Sequence, residues 1–186
     1  MLLNRIIRAI KLDKTLYHEV KPDESLTNEA IMVIAAALIL TQIGSFLGNL
    51  ISGVGFGSSL LILIIGLVLG AVGWGVFIFV AHYAGTKFFG GNAALKEMLR
   101  SLGYAQGPAL LGVFGFIPVV GWLVAWVGSV LALITSVIAV RETLGVDTVK
   151  AIITCVIAWV AMIIITSVIG GLIYGPIIAA AVMASI

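Results

Sequence analysis

Few side chains in these 186 residues could do covalent or acid–base chemistry, and none stands in a pattern that would let it. His18 and His82 are the only histidines and Cys155 the only cysteine. Hydrolysis needs a nucleophile, a base and a group that orients the base. A zinc hydrolase needs His-Glu-x-x-His, and a nucleotide loop needs Gly-x-x-x-x-Gly-Lys. None of these strings occurs, nor does a pair of aspartates inside an apolar run. The expectation is a protein that is not an enzyme and uses no metal or cofactor. Cys155 lies in an apolar run and reads as a small core filler. His82 closes another such run, where a cation would favour a helix C-terminus.

The chemistry left to the chain is electrostatic. Its ten cations fall in three clusters: Arg5, Arg8, Lys11, Lys14 and Lys21; Lys87, Lys96 and Arg100; Arg141 and Lys150. The eight acids keep to the same clusters: Asp13, Glu19, Asp23, Glu24 and Glu29; Glu97; Glu142 and Asp147. Between them the chain is uncharged. Arg5, Arg8, Lys11, Lys96, Arg100, Arg141, Glu142 and Lys150 are therefore candidates for contact with anionic lipid headgroups or a partner protein. The net charge of +2 is too small to suggest nucleic acid.

Such clusters need elements that hold them at a membrane surface. The chain is 62% hydrophobic and 10% charged, with a mean hydropathy of +1.27, whereas soluble domains are about 25% charged. An uncharged run crosses a hydrocarbon layer of about 30 Å with about 20 helical residues. Residues 30–51 and 58–84 meet that need, separated by a Gly/Ser-rich turn. The run 101–140 is twice one crossing and carries Phe116-Ile117-Pro118-Val119-Val120-Gly121 at its middle. It reads as a helical hairpin, 104–117 and 121–140, the first arm short. A last span covers 149–174, and an apolar tail comes after it. Whether that tail returns as a sixth, partial span stays open. Five crossings with the N-terminus inside give cation counts of 5, 0, 3, 0, 2 and 0 for successive flanks and loops. Every external segment then has none, as the positive-inside rule asks.

The expected fold is thus all-α: a five-span transmembrane bundle (29–186) behind an amphipathic, cytoplasmic N-terminal segment (1–28). Arg5, Arg8 and Lys11 interrupt what would otherwise resemble a signal peptide. On the first helix Leu2, Leu3, Ile6, Ile7 and Ile10 share one face and the three cations the other, a design for the headgroup layer. Residues 92–102 repeat it: Asn92 as N-cap, Leu95, Met98, Leu99 and Leu102 as apolar face, Gly103 as stop. Gly145 suits a tight turn, and Asp147 or Thr148 a cap for the last span. Gly44/Gly48, Gly66/Gly70, Gly103/Gly107 and Gly171/Gly175 suit close helix packing within the bundle first, and homo-oligomerisation second. Gln106 reads as a partner in an interhelical hydrogen bond. No span contains Asp, Glu, Lys or Arg, which argues against proton- or ion-coupled transport. No helix reads as carrying a continuous polar strip.

Gly90-Gly91, Leu95-Lys96, Leu99-Arg100, Leu102-Gly103-Tyr104-Ala105, Pro108 and Leu110-Leu111 resemble the central signature of the Yip1 domain family. Residues 141–151, Arg-Glu-Thr-Leu-Gly-Val-Asp-Thr-Val-Lys-Ala, are similar to that family's loop before its last helix. The resemblance covers roughly residues 12–172. It implies a non-enzymatic five-span protein, and it adds Tyr104 and Pro108 to the candidate contact residues. Eukaryotic members sit in Golgi and endoplasmic reticulum membranes and are linked to vesicle traffic and lipid-modified Rab GTPases. Their Asp-Leu-Tyr-Gly-Pro-like stretch has no match here, Lys21–Leu26 being nearest, and their long N-terminal region is absent. Those departures favour a compact prokaryotic relative in the plasma membrane, with its C-terminus external. The leading expectation is a scaffold or adaptor that meets lipids, membrane proteins or lipid-anchored proteins at its cytoplasmic face. The alternative is a channel or carrier for a neutral or lipid-like solute.

Overall fold

A computed structural model describes residues 2–183, with side chains as far as Pro176. Its helices are α1 (Leu2–Ile10), α2 (Thr15–Val20), α3 (Thr27–Ile51), α4 (Phe56–Lys87), α5 (Leu95–Ala105), α6 (Val120–Leu144) and α7 (Thr148–Met183). A 3-10 turn, Glu24–Leu26, precedes α3, and a ten-residue 3-10 helix, Gly107–Phe116, joins α5 to the α6 hairpin turn. There is no strand among the described residues. Four segments are long and apolar enough to cross a membrane: Glu24–Ile51, Phe56–Lys87, Val120–Leu144 and Thr148–Pro176. Their large apolar side chains, such as Ile64, Phe79, Trp122 and Ile164, point outward. An apolar exterior of this extent is stable only against lipid.

The third expected span takes a different form. Residues 104 and 105 complete α5, and the shorter 3-10 helix comes next, packed between α3 and α6. Small residues permit that packing. A Cβ on Gly44 would lie 2.6 Å from the Gly112 carbonyl, and one on Gly128 would lie 2.9 Å from that of Pro108. Gly66, Gly70 and Gly103 likewise face Gln42, Leu38 and Ala30, whereas among the described residues nothing lies within 4 Å of a Cβ on Gly171 or Gly175. Three of the four Gly-x-x-x-Gly pairs therefore serve the bundle itself.

Local signals held unevenly. Gly145 ends α6 with φ +69°, and the Asp147 carboxylate accepts from the Lys150 N–H at 3.0 Å to cap α7. Asn92 is not the cap of α5. The helix starts at Leu95 after Ala94, whose N–H donates to Glu97 (2.9 Å), while the Asn92 N–H is drawn to the Leu144 carbonyl (3.0 Å). Gly103 does not stop α5 either; it lies within the helix against Ala30. Helix α7 runs on through Pro176 to Met183, so most of the expected tail continues the last helix, and 184–186 lie outside the described residues.

Candidate functional site

The three charged clusters meet at one end of the bundle. Lys21 joins all three: its Nζ donates to the Thr143 carbonyl at the end of α6 (2.8 Å) and to that of Asn92 (3.4 Å), and lies 4.0 Å from Glu97. Helix ends leave carbonyls without partners, and a lysine there satisfies them while meeting the negative end of the helix dipole. His18 Nε2 sits 3.1 Å from Glu142, which also accepts from Arg141. Arg141 reaches on to Thr148 Oγ1 (3.3 Å), bridging the α6–α7 turn.

Helices α1 and α2 fold back as a hairpin over α5. Arg5 donates to Glu19 and Glu29, both at 3.1 Å. Arg8 donates to Asp13 (2.8 Å), Glu19 (2.6 Å) and Thr15. Hydrogen bonds from Thr15 and then Arg8 hold the Asp13 carboxyl down to about 2, and Arg8 first lowers that of Glu19. Arg8 is held protonated by Glu19 and then Asp13, and Arg5, against the opposing effect of burial, by Glu19 and Glu29. Tyr17 plugs the hairpin into the bundle, fully buried, its hydroxyl donating to the Thr135 carbonyl at 3.4 Å. Burial, above all, raises that phenol well above its ordinary range.

This arrangement corrects several sequence expectations. The apolar face of α1 is split. Leu2, Ile6 and Ala9 pack on the protein, and only Leu3 (70% exposed) and Ile7 (40%) face outward. Arg5 and Arg8 are committed to internal ion pairs rather than to headgroups. Arg100 is 2% exposed: its Nε donates to the carbonyls of Val20 and Lys21, both at 3.1 Å, and its Nη1 to Thr27 Oγ1 at 3.2 Å. The reason is that the end of α2 arrives over α5 with unfilled carbonyls, which a guanidinium fork fits. Tyr104 and Pro108 are buried as well, so neither presents a contact surface. Lys11, Lys96 and Lys150 remain exposed, Lys150 beside Asp147 (3.7 Å), and Lys14 and Lys87 are exposed with them.

Inside the bundle most hydroxyls bond to their own helix, as Thr135, Ser136, Thr154 and Thr166 do. His82 Nε2 lies 3.0 Å from the Ala93 carbonyl and tethers the α4–α5 loop. Among the described residues Gln106 makes no interhelical bond: it is 3% exposed and its Nε2 has no hydrogen-bond partner. It borders two adjoining cavities of about 400 and 530 Å³, and the larger is lined along α3 by Thr41, Gln42, Ser45, Asn49 and Ser52. That is a continuous polar strip, contrary to expectation. Its spacing of i, i+1, i+4, i+8 and i+11 is legible in the sequence as one helical face. Ser45 and Ser52, weakly polar and scattered among Ile, Leu and Gly, hide it.

No curated protein and no solved structure matches the chain significantly. The family model of the Yip1 domain matches residues 14–169, a stretch that takes in α2, the charged end with Arg100 and Arg141, and all but the last part of α7. That is most of the chain, and the protein is a membrane protein of the Yip1 domain family.

Proposed function

We propose that the protein is a non-enzymatic scaffold or adaptor whose charged end forms a cytoplasmic platform for anionic lipid and for membrane or lipid-anchored proteins. One observation carries the reading. Three segments far apart in sequence are locked into a single polar surface by Lys21, Arg100 and the Arg5–Glu29 pair. A surface so fixed loses little conformational freedom when a partner docks. Its arginines are occupied internally, its exposed cations are lysines, and Leu3 and Ile7, one turn apart on α1, are exposed as well. That combination suits the headgroup layer.

The same reading places the N-terminus inside and gives five crossings, the 3-10 helix serving as the third. Its support is register. Gly103 lies against Ala30, Gly112 against Thr41 and Phe116 against Gly48, so this strip of chain runs parallel to α3. Along α3 that stretch is about 27 Å at 1.5 Å per residue. A carrier for a neutral or lipid-like solute is the second reading, favoured by the polar strip on α3.

The platform is tested in nanodiscs of mixed phosphatidylglycerol and phosphatidylcholine, by native mass spectrometry of retained lipid and by crosslinked partner sets in cells. Lys11→Glu/Lys14→Glu/Lys96→Glu should lose retained phosphatidylglycerol and change the partners, since each cation near an anionic surface is worth about 1 kcal/mol. Unchanged lipid and unchanged partners would refute the platform.

A further inference from the structure

We infer that the paired cavities beside Gln106 form a binding site for an uncharged, single-chain amphiphile of the monoacylglycerol class. The site lies within the apolar bundle, away from the charged platform, and does not depend on the platform's role.

The two cavities share Trp74, Gln106, Ala109 and Ser129, so they are lobes of one space. Each falls in the range of about 300–1,000 Å³ typical of small-molecule sites. One lobe is apolar and aromatic, with Phe77, Trp126, Trp159 and Met162 in its wall. Trp126 and Trp159 are exposed on the outer surface, so this lobe opens sideways, where acyl chains lie. The other lobe is the polar strip of α3, running from Thr41 in mid-helix to Ser52 at the end remote from the charged clusters.

The lining defines the ligand. No charged side chain borders either lobe, which disfavours a phosphate or carboxylate in an apolar surround. Hydroxyls and amides are plentiful: Thr41, Gln42, Ser45 and Asn49 offer both donors and acceptors, and Ser129, whose hydroxyl donates to the Ala125 carbonyl (2.9 Å), offers an acceptor. A neutral polyol head matches them, and one chain fits the aromatic lobe. Gln106 lies where the lobes meet, and among the described residues its buried Nε2 has no acceptor. Buried polar groups are nearly always paired, and an ester or hydroxyl oxygen of the ligand would supply that partner. Water could meet the amide too, but it has no reason to fill a lobe walled by tryptophan.

The full-length protein in nanodiscs of unbrominated lipid is titrated with 9,10-dibromostearoylglycerol, and tryptophan fluorescence is monitored. Trp74, Trp126 and Trp159 line the aromatic lobe, while Trp122 lies on the exposed surface and reports simple partitioning. The expected result is saturable quenching, with a midpoint at least tenfold lower than for dibromostearic acid or a dibrominated lysophosphatidylcholine. Gln106→Leu should melt no lower than wild type yet shift the midpoint at least tenfold, and Ser129→Phe, which plugs the junction from an exposed position, should do the same. Quenching that only grows linearly with mole fraction, as it would if water alone met the amide, overturns the proposal. So does equal affinity for the charged comparators, or a Gln106→Leu midpoint like that of wild type.

Discussion

Arg100 is the most instructive residue to remove. In a helix-surface reading it belongs beside Lys96 against lipid, but in the fold it is the bolt between α5 and the α1–α2 hairpin. Among the described residues it makes no ion pair; its acceptors are two backbone carbonyls and a threonine hydroxyl. Arg100→Met keeps the aliphatic stem and deletes the fork. No opposing carboxylate is stranded, so the large penalty of a broken buried pair does not arise. The groups left stranded are the Val20 and Lys21 carbonyls, at about 1–3 kcal/mol each when unpaired. Relief of the buried charge offsets part of this. The net expected cost to hairpin docking is about 2–4 kcal/mol, or about 30- to 1,000-fold in its opening equilibrium at 1.4 kcal/mol per decade.

Hydrogen exchange measured by mass spectrometry on residues 15–26 reads that equilibrium directly, because local opening exposes amides without global unfolding. Exchange there should accelerate by that factor while α4 and α7 stay protected. Arg100→Lys, with a shorter reach and no fork, should fall between. If the Met variant exchanges within threefold of wild type, the hairpin is held by Leu16, Tyr17 and Val20 alone and the bolt argument fails.

Three more outcomes rest on the same contacts. Gly44→Ala places a methyl 2.6 and 2.8 Å from two backbone carbonyls and should destabilise by about 1–3 kcal/mol in a detergent melt, whereas Gly171→Ala, with nothing among the described residues within 4 Å of the added methyl, should not. The carboxyls of Asp13 and Glu19 titrate lower in the fold than when free, so their contribution is complete above about pH 5 and is lost as pH falls toward 2. Exchange protection of α1, corrected for intrinsic rates, should hold from pH 7 to 5 and weaken below 4, and Asp13→Asn should flatten that dependence. In a Cys155→Ala background, cysteines at Ser52 and Val119 should be labelled from one side of the membrane and cysteines at Lys96 and Lys150 from the other; a shared side for Ser52 and Lys96 would refute the five-crossing weave.

Composition made the class legible, because an uncharged run of 20 or more residues has few fates, and the charge clusters made the polar end legible for the same reason. Gly145 and Asp147 were readable as well, since each acts on its own neighbours. Which cations the protein would keep for itself could not be read. Lys96 and Arg100 sit one turn apart on one helix and look equivalent, yet one is exposed and the other buried. The difference lies in the end of α2, some eighty residues away in sequence, and a helical wheel contains no such information. The α3 strip is the opposite case: its spacing was visible, but whether it faced a neighbour's side chains or a cavity depended on where the 3-10 helix lay.

That 3-10 helix shows how packing can override local preference. The stretch from Gly103 to Phe116 runs beside α3 from Ala30 to Gly48, which is thirteen steps of one chain against eighteen of the other. An α-helix rises about 1.5 Å per residue and would fall well short, covering about 20 Å of 27. A 3-10 helix rises about 2.0 Å, so three α steps and ten 3-10 steps reach about 25 Å. The tighter winding narrows the element as well as lengthening it. The carbonyls of Gly112 and Val113 then approach α3 closely, where Gly44 has no side chain to keep them away, and Gly112 itself lies against Thr41. Long 3-10 runs are poor in isolation because their hydrogen bonds are strained. Here the flanking helices α3 and α6 hold both sides, and a segment too short to keep pace with α3 as an α-helix stays beside it by stretching.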